Sequence, residues 1–235
     1  MKFRVDSSFF EKVDNACFGV LVVKNIDNSQ EYPFIKDLLK ESCHNVATEF
    51  ENIKVKEDER IVCYREAFRQ VNINPNKFMC SIEALVSRIA KSKEIPSINP
   101  VVDLTNAYSL KYLIPLGAHN IDEFDGDIEF RLGNETDIFV PIGQDISARE
   151  EIGLDEYVYV SGADVKTRRW AWRQGDRGKI VKETRNVFIP IDGFTNINKE
   201  SVLKVRDELA NVFQEKLNAD VCLGFVDKDN LEFEF

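Results

Sequence analysis

Near Pro115 the hydrophobic pattern of this 235-residue chain changes period, and that change limits the fold more than any other feature. Upstream, apolar residues mostly recur every three or four positions, the spacing that paints one face of a helix. Downstream they fall in short runs rich in β-branched and aromatic residues, each bounded by Gly, Asp or Asn. Such runs read as strands. Helices first, strands in the middle, then a helix and a strand predict a mixed α/β fold of α+β character. Strands do not alternate regularly with helices, so a doubly wound parallel sheet is not expected. No linker, repeat or low-complexity tract divides the chain. It reads as a single three-layer domain over residues 1–235, with a largely β middle flanked by N-terminal helices and a C-terminal helix.

The individual elements follow from the same patterns. The run from Phe18 to Lys24 reads as a buried strand. Tyr32 to Phe50 reads as a helix, with Pro33 in its first turn and a stripe of Ile35, Leu38, Leu39, Val46 and Phe50. Ile61, Tyr64, Phe68 and Val71 mark a second helix, and Ile82, Leu85, Val86 and Ile89 a third after Pro75. Ile98 to Tyr112 is a fourth, opened by Asn99-Pro100. The expected strands are DIEFRL, DIFVPI, EYVYVSG, the run from Thr167 to Trp172, and NVFIPI. Asn198 to Leu217 closes as a helix, and VCLGFV as a last strand.

Composition excludes several function classes. No run approaches the ~20 apolar residues of a membrane span. The opening MKFRVDSSFFEKVDN lacks the apolar core of a signal peptide, so a cytoplasmic location is expected. Five widely spaced cysteines with no CxxC predict neither a disulfide framework nor a metal site, and no other cofactor is expected. Phosphate-binding glycine loops and the GxSxG elbow are absent. Forty-one acidic against 31 basic side chains give a net charge of −10. An acidic protein is a poor nonspecific partner for nucleic acid, so RNA binding needs a local patch of opposite sign. Neither DNA nor membrane is expected as a partner.

One segment has that sign. Residues 166–185, KTRRWAWRQGDRGKIVKETR, carry eight basic side chains against Asp176 and Glu183, and hold both tryptophans, Trp170 and Trp172. Guanidinium forks bind phosphate, and indole faces stack on bases. If Thr167 to Arg173 is a strand, Arg168, Trp170 and Trp172 share a face opposite Arg169 and Arg173. Two readings stay open: an anion-binding surface, or a basic edge strand paired with acidic neighbours and its tryptophans in the core.

Asn99 to Asp122 reads NPVVDLTNAYSLKYLIPLGAHNID. This stretch resembles the signature of the tRNA-editing domain of the phenylalanyl-tRNA synthetase beta subunit, N-x-V-V-D-x-T-N followed by P-x-H-A-F-D. The likeness continues through GDIEFRL and EYVYVSGAD to Gly175-Asp176 and the ETRNV of Glu183 to Val187, which are similar to the family's G-G-E and E-T-x-N-V elements. It covers residues 61–194, and the pair VVDLTN with ETRNV is its specific part.

The resemblance implies a free-standing homologue that hydrolyses the ester of a wrongly attached amino acid, which in the family is tyrosine on the phenylalanine tRNA. Thr105 and Asn106 match the family positions. Asp176 stands where the family has glutamate, and Gly117 where it has histidine. His119 lies two residues on, an offset that preserves facing on a strand, though a surface loop is the alternative. The implied roles are catalysis for Asn106, Asp176 and His119, contact with the amino acid for Thr105, Gly117 and Gly175, and grip on the RNA for Arg168, Arg169, Trp170, Trp172, Arg173 and Arg177. Each matched residue also has a structural reading: capping for Asp103 and Thr105, backbone satisfaction for Asn106, a turn for Asp176. The expected function is binding and trans-editing of aminoacyl-tRNA, by a deacylase that lacks the modules of a ligase. The alternative is a non-catalytic module binding tRNA, a free amino acid or a small anion; a third reading has the pocket recruited for unrelated small-molecule chemistry. The site that the resemblance implies requires the Thr105-Asn106 pair and Asp176 to converge on one cleft.

Overall fold

Strand β2 (Ala16–Lys24) is buried along all but its last residue and forms the middle of the molecule. The computed structural model describes residues 1–235. In it β2 sits inside a four-stranded antiparallel sheet, between β8 (Val187–Phe194) and β9 (Asp220–Asp227), with β3 (His119–Asn120) beyond β8. Alternation decides what each face covers. Phe18, Val20 and Val22 point to one core, together with Phe188 and Phe194 of β8. Leu21 and Val23 point to the other, with Val187, Ile189 and Ile191.

The first core is closed by a second sheet of six strands. Its order is β10 (Glu232–Glu234), β1 (Lys2–Val5), β4 (Ile128–Leu132), β5 (Tyr157–Ser161), β6 (Asp164–Arg168) and β7 (Arg173–Gln174). Only the β1–β4 pair is parallel. Phe3, Phe130, Tyr157 and Tyr159 of this sheet join Phe9 of α1 (Ser7–Lys12) and the strands opposite. The second core is closed by α5 (Pro100–Tyr112) and α6 (Lys199–Leu217), through Val101 and Leu104 of one and Val202, Val205, Leu209 and Phe213 of the other. Sheet, sheet and helices are the three layers. Each fully buried Leu, Val or Phe here stabilises the fold by roughly 1.5–3 kcal/mol.

The remaining helices, α2 (Pro33–Glu49), α3 (Glu59–Gln70) and α4 (Ser81–Ser92), pack around α5 and the end of the sheet sandwich. A buried ion pair between Arg65 of α3 and Glu83 joins α3 to α4. The mixed α/β class, the four expected helices and the closing helix are present. Asn99 caps α5 by accepting from the Val102 amide at 3.1 Å, and Pro100 takes its first position.

Two expected strands differ. DIFVPI forms only isolated bridges, at Ile138, Phe139 and Pro141. Pro141 has no N–H to extend a ladder. The run from Thr167 to Trp172 is not one strand either. β6 stops at Arg168, and Arg169 and Trp170 take left-handed backbone, with φ of 47° and 59°. The chain thereby drops the Trp170 ring into the first core, where it is fully buried. Arg168, Trp170 and Trp172 therefore do not share a strand face. Periodicity also left out β1, α1 and β10, which are too short to show a period.

Candidate functional site

The two sheets do not meet tightly at the end where β3 and β8 face β5, β6 and β7. A cavity of about 90 Å³ opens there, lined by His119, Tyr159, Thr167, Trp170, Gln174 and Asp192 among others, with Ser81 of α4, Gly117, Pro190, Trp172 and Arg173 around it. β8 supplies Asp192 because its even-numbered residues face the six-stranded sheet, as Phe188 and Phe194 do. β3 supplies His119, paired in register with Phe188.

Asp192 is buried. Its Oδ1 accepts from the Tyr159 hydroxyl at 2.7 Å and from the Trp170 indole at 2.9 Å. Its Oδ2 takes no hydrogen bond from the protein, and no lysine or arginine pairs with it. Burial pushes this carboxyl up to about 6 against the two donors that lower it. Its backbone carbonyl accepts from the Tyr64 hydroxyl at 3.0 Å, which ties α3 to the site.

His119 is also buried, with its ring stacked between Tyr159 and Phe188 at 6.3 Å from each. Burial, and then the charge of Lys166, push its imidazole down to about 3. The Gln174 amide nitrogen donates to the Ala118 carbonyl at 2.8 Å and lies 3.2 Å from Nδ1. An amide nitrogen only donates, so Nδ1 accepts and the ring proton belongs on Nε2, 3.4 Å from the Thr167 hydroxyl. The ring is a neutral, oriented dipole at pH 7. A Cβ at Gly117 would stand 3.1 Å from Nε2, so glycine there leaves the ring its room.

Of the residues singled out from the sequence, Gly117, His119, Trp170, Trp172 and Arg173 line this cavity. Thr105, Asn106, Gly175 and Asp176 do not, which corrects the expected convergence. Thr105 is buried on α5, and its hydroxyl donates to the Val101 and Val102 carbonyls at 3.0 Å. Asn106, one residue on, makes no side-chain hydrogen bond. Asp176 accepts from the Gly143 amide and from Lys179, both at 2.8 Å, and the lysine holds its carboxyl low. A Cβ on Gly175 would lie 2.7 Å from the Val165 carbonyl, so glycine is needed for strand contact.

The motifs that carry the resemblance hold each other in place. Asp103 accepts from the Ser97 hydroxyl at 2.5 Å and the Ile98 amide at 2.7 Å. Asp122 accepts from the amides of Arg185 and Asn186 at 3.2 Å, joining the GAHNID stretch to ETRNV.

The basic segment is largely neutralised. Arg168 is buried and donates to Glu156 at 2.7 and 3.0 Å, to Glu150, and to the Glu151 carbonyl at 3.1 Å. Arg169 pairs with Glu156 at 3.0 Å and lies 4.0 Å from the centre of the Phe78 ring. Arg173 pairs with Glu150, and Arg177 with Asp164. Trp170 is in the core, and Trp172 packs edge-on to Phe78 at 4.7 Å. The basic edge reading describes this segment better than an open anion surface.

Within the segment Lys182 forms no ion pair, and further cations without carboxylate partners lie elsewhere. A groove of about 1030 Å³ runs between α2 and the end of α4. Lys36, Lys40 and His44, four residues apart on α2, line it opposite Arg88 and Lys93. Lys36 pairs with Glu31 at 3.3 Å, whereas Lys40, Arg88 and Lys93 form no ion pair. Glu51 and Glu94 also line the groove.

The B3/4 domain family matches residues 63–223. This chain belongs to the B3/4 domain family. Such a domain occurs in the phenylalanyl-tRNA synthetase beta subunit. Among solved structures, an N-terminal fragment of the phenylalanyl-tRNA synthetase beta subunit from Pyrococcus horikoshii is similar at 11% identity, covering 93% of this chain and 49% of its own, with a TM-score of 0.44. The chain thus spans about half the length of that fragment. No curated protein matches the chain. No helix of this B3/4 chain is long and apolar enough to cross a membrane.

Asp192, Tyr159, Thr167 and Gln174 escaped the sequence reading. The signal for Asp192 was present: it is a charged residue placed inside an apolar run that continues past it to Phe194.

Proposed function

We propose that this B3/4 chain binds the acceptor end of an aminoacyl-tRNA and hydrolyses the ester of a mischarged amino acid. The observation that carries the reading is a cavity, within the region matched by the family, that joins a buried carboxylate to a neutral histidine. Helix α4 supports it. Its first residue, Ser81, lines the cavity, and Arg88 and Ser92 line the basic groove. At 1.5 Å per residue these points are about 10 and 17 Å apart along the helix axis. On this reading an RNA strand held at the groove passes its end along α4 toward the cavity.

In the reaction, water oxygen bonds to the acyl carbon, the bond to the ribose oxygen breaks, and the ribose hydroxyl gains a proton. His119 is too weak a base to take a proton at pH 7. Its part is orientation, with the Thr167 hydroxyl beside its N–H as the polar group for a water or the ester carbonyl. Positioning and fixed dipoles then supply the rate.

The test is a panel of mischarged tRNAs incubated with the folded protein. Release of amino acid from at least one, reduced by Thr167→Val, supports the reading. No turnover on any member defeats it. A second reading, binding without hydrolysis, is favoured by the burial of His119 with protein groups at both ring nitrogens. Retention of charged tRNA with intact ester would select it.

A further inference from the structure

Resting on the reading that an aminoacyl group enters this cavity, we infer that Asp192 is the receptor for its α-ammonium group and that the cavity selects small side chains, of the size of glycine, alanine or serine. A carboxylate taken from water without a cationic partner is costly, and such groups persist where a ligand or a compensating charge completes them. Around Asp192 the protein supplies two neutral donors, both on Oδ1. Oδ2 is left without a protein donor in a residue that lines the cavity. The imidazole nearby is neutral and adds no positive charge. The missing element is a small cation that also donates hydrogen bonds, which describes a primary ammonium.

The rest of the cavity fits the other end of an amino acid. Arg173, half-exposed, is the cation among its lining residues, and its one partner is the half-exposed Glu150 at 3.2 Å. A ligand with its ammonium on Asp192 can turn its carbonyl side toward Thr167 and Arg173. The space is about 90 Å³, well under the roughly 150 Å³ of a cavity known to hold benzene. Buried Trp170 and Tyr159 form the walls, and neither can move without disturbing the aromatic core, in which Trp170 meets Phe9 at 4.9 Å and Tyr159 meets Phe130 at 4.8 Å. A phenol ring does not fit in the same space. This departs from the tyrosine that the family resemblance implied.

The experiment is an NMR titration of the full chain with L-alaninamide, L-lactamide and L-tyrosinamide. Lactamide replaces the ammonium by a hydroxyl at nearly the same volume. Alaninamide is expected to shift resonances of the cavity residues and to bind at least about tenfold more tightly than lactamide, the ratio given by one charge-assisted hydrogen bond. It should also outbind tyrosinamide. Asp192→Asn should erase the preference over lactamide while the spectrum stays folded. Equal binding of alaninamide and lactamide to the wild type, or no alaninamide shifts up to its solubility limit, overturns the ammonium site without reliance on the variant. Equal or tighter binding of tyrosinamide overturns the size limit. Alaninamide binding with no deacylation of any tRNA leaves the ammonium site standing and removes the editing reaction. Deacylation that Asp192→Asn leaves unchanged does the reverse.

Discussion

The indole of Trp170 donates to the Asp192 carboxylate at 2.9 Å, joining two buried residues, one in the turn between β6 and β7 and the other on β8 of the opposite sheet. The bond ties the turn after β6 to β8 and supplies half the donor set of a carboxyl that has no cation. Trp170→Phe removes the donor and leaves a smaller ring. The loss should destabilise the protein by about 1–3 kcal/mol for the bond alone, with a further loss from the unfilled volume. Urea unfolding followed by circular dichroism measures it, and an unchanged midpoint would show that the bond contributes nothing.

Two of the titratable groups that line the cavity, His119 and Asp192, should pull stability in opposite directions with pH. His119 titrates near 3 when folded and near 6.5 when unfolded. The unfolded ring takes a proton first, so stability is lost as pH falls from 6.5 toward 3, by up to about 1.4 kcal/mol per pH unit. Asp192 titrates near 6 when folded and near 3.8 when unfolded. Here the folded state keeps its proton longer, so stability is lost as pH rises from 3.8 through 6. Relative to wild type, His119→Gln should gain stability on acidification below pH 6.5, and Asp192→Asn should gain it on going from pH 4 to 6. Unfolding midpoints over that range, parallel for all three proteins, would contradict both assignments.

Charge removal should separate structural arginines from the groove cations proposed to hold RNA. Arg168→Ala strands buried Glu156 with Arg169 alone and should cost about 3–5 kcal/mol. The triple change Lys40→Ala, Arg88→Ala and Lys93→Ala removes cations that form no ion pair, and should leave the unfolding midpoint within about 0.5 kcal/mol per site. That triple variant should weaken tRNA binding and flatten its dependence on log salt by roughly 0.7 for each phosphate no longer neutralised. Filter binding at several salt concentrations reads both. An unaltered slope would place the RNA elsewhere.

Gly117→Ala introduces a methyl 3.1 Å from His119 Nε2 and 3.6 Å from the Pro190 ring. The imidazole must move by a few tenths of an ångström, which disturbs its contact with Thr167 more than it disturbs the core. Deacylation should fall while the unfolding midpoint changes little. A variant with full activity would show that the orientation of the ring is immaterial.

Helices were legible wherever a stripe was long enough to repeat, as in α2 and α6, because the period of 3.6 survives local exceptions. The sandwich was not, since it depends on which strands pair across a gap of a hundred residues or more, as Phe3 with Ile128 and Phe3 with Phe233 do. The cavity was half legible. His119 and Gly117 stood inside a family-like motif, whereas Asp192 and Tyr159 became site residues only by facing each other across two sheets. The arginine run misled for a related reason. Its partners, Glu150, Glu156 and Asp164, are spread over the chain upstream, so most of the local excess of charge is neutralised on folding.

Arg169 and Trp170 stand in left-handed backbone one after the other, a conformation that an isolated peptide of this sequence would seldom visit. Local preference therefore does not shape the wall of the cavity; the aromatic interior does, by capturing the indole. The Trp170 amide, bonded to the Tyr157 carbonyl at 2.8 Å, should then exchange its hydrogen only when the whole sandwich opens. A pocket built this way has no loose lid to evolve, and a change in what it admits must be negotiated with the centre of the protein.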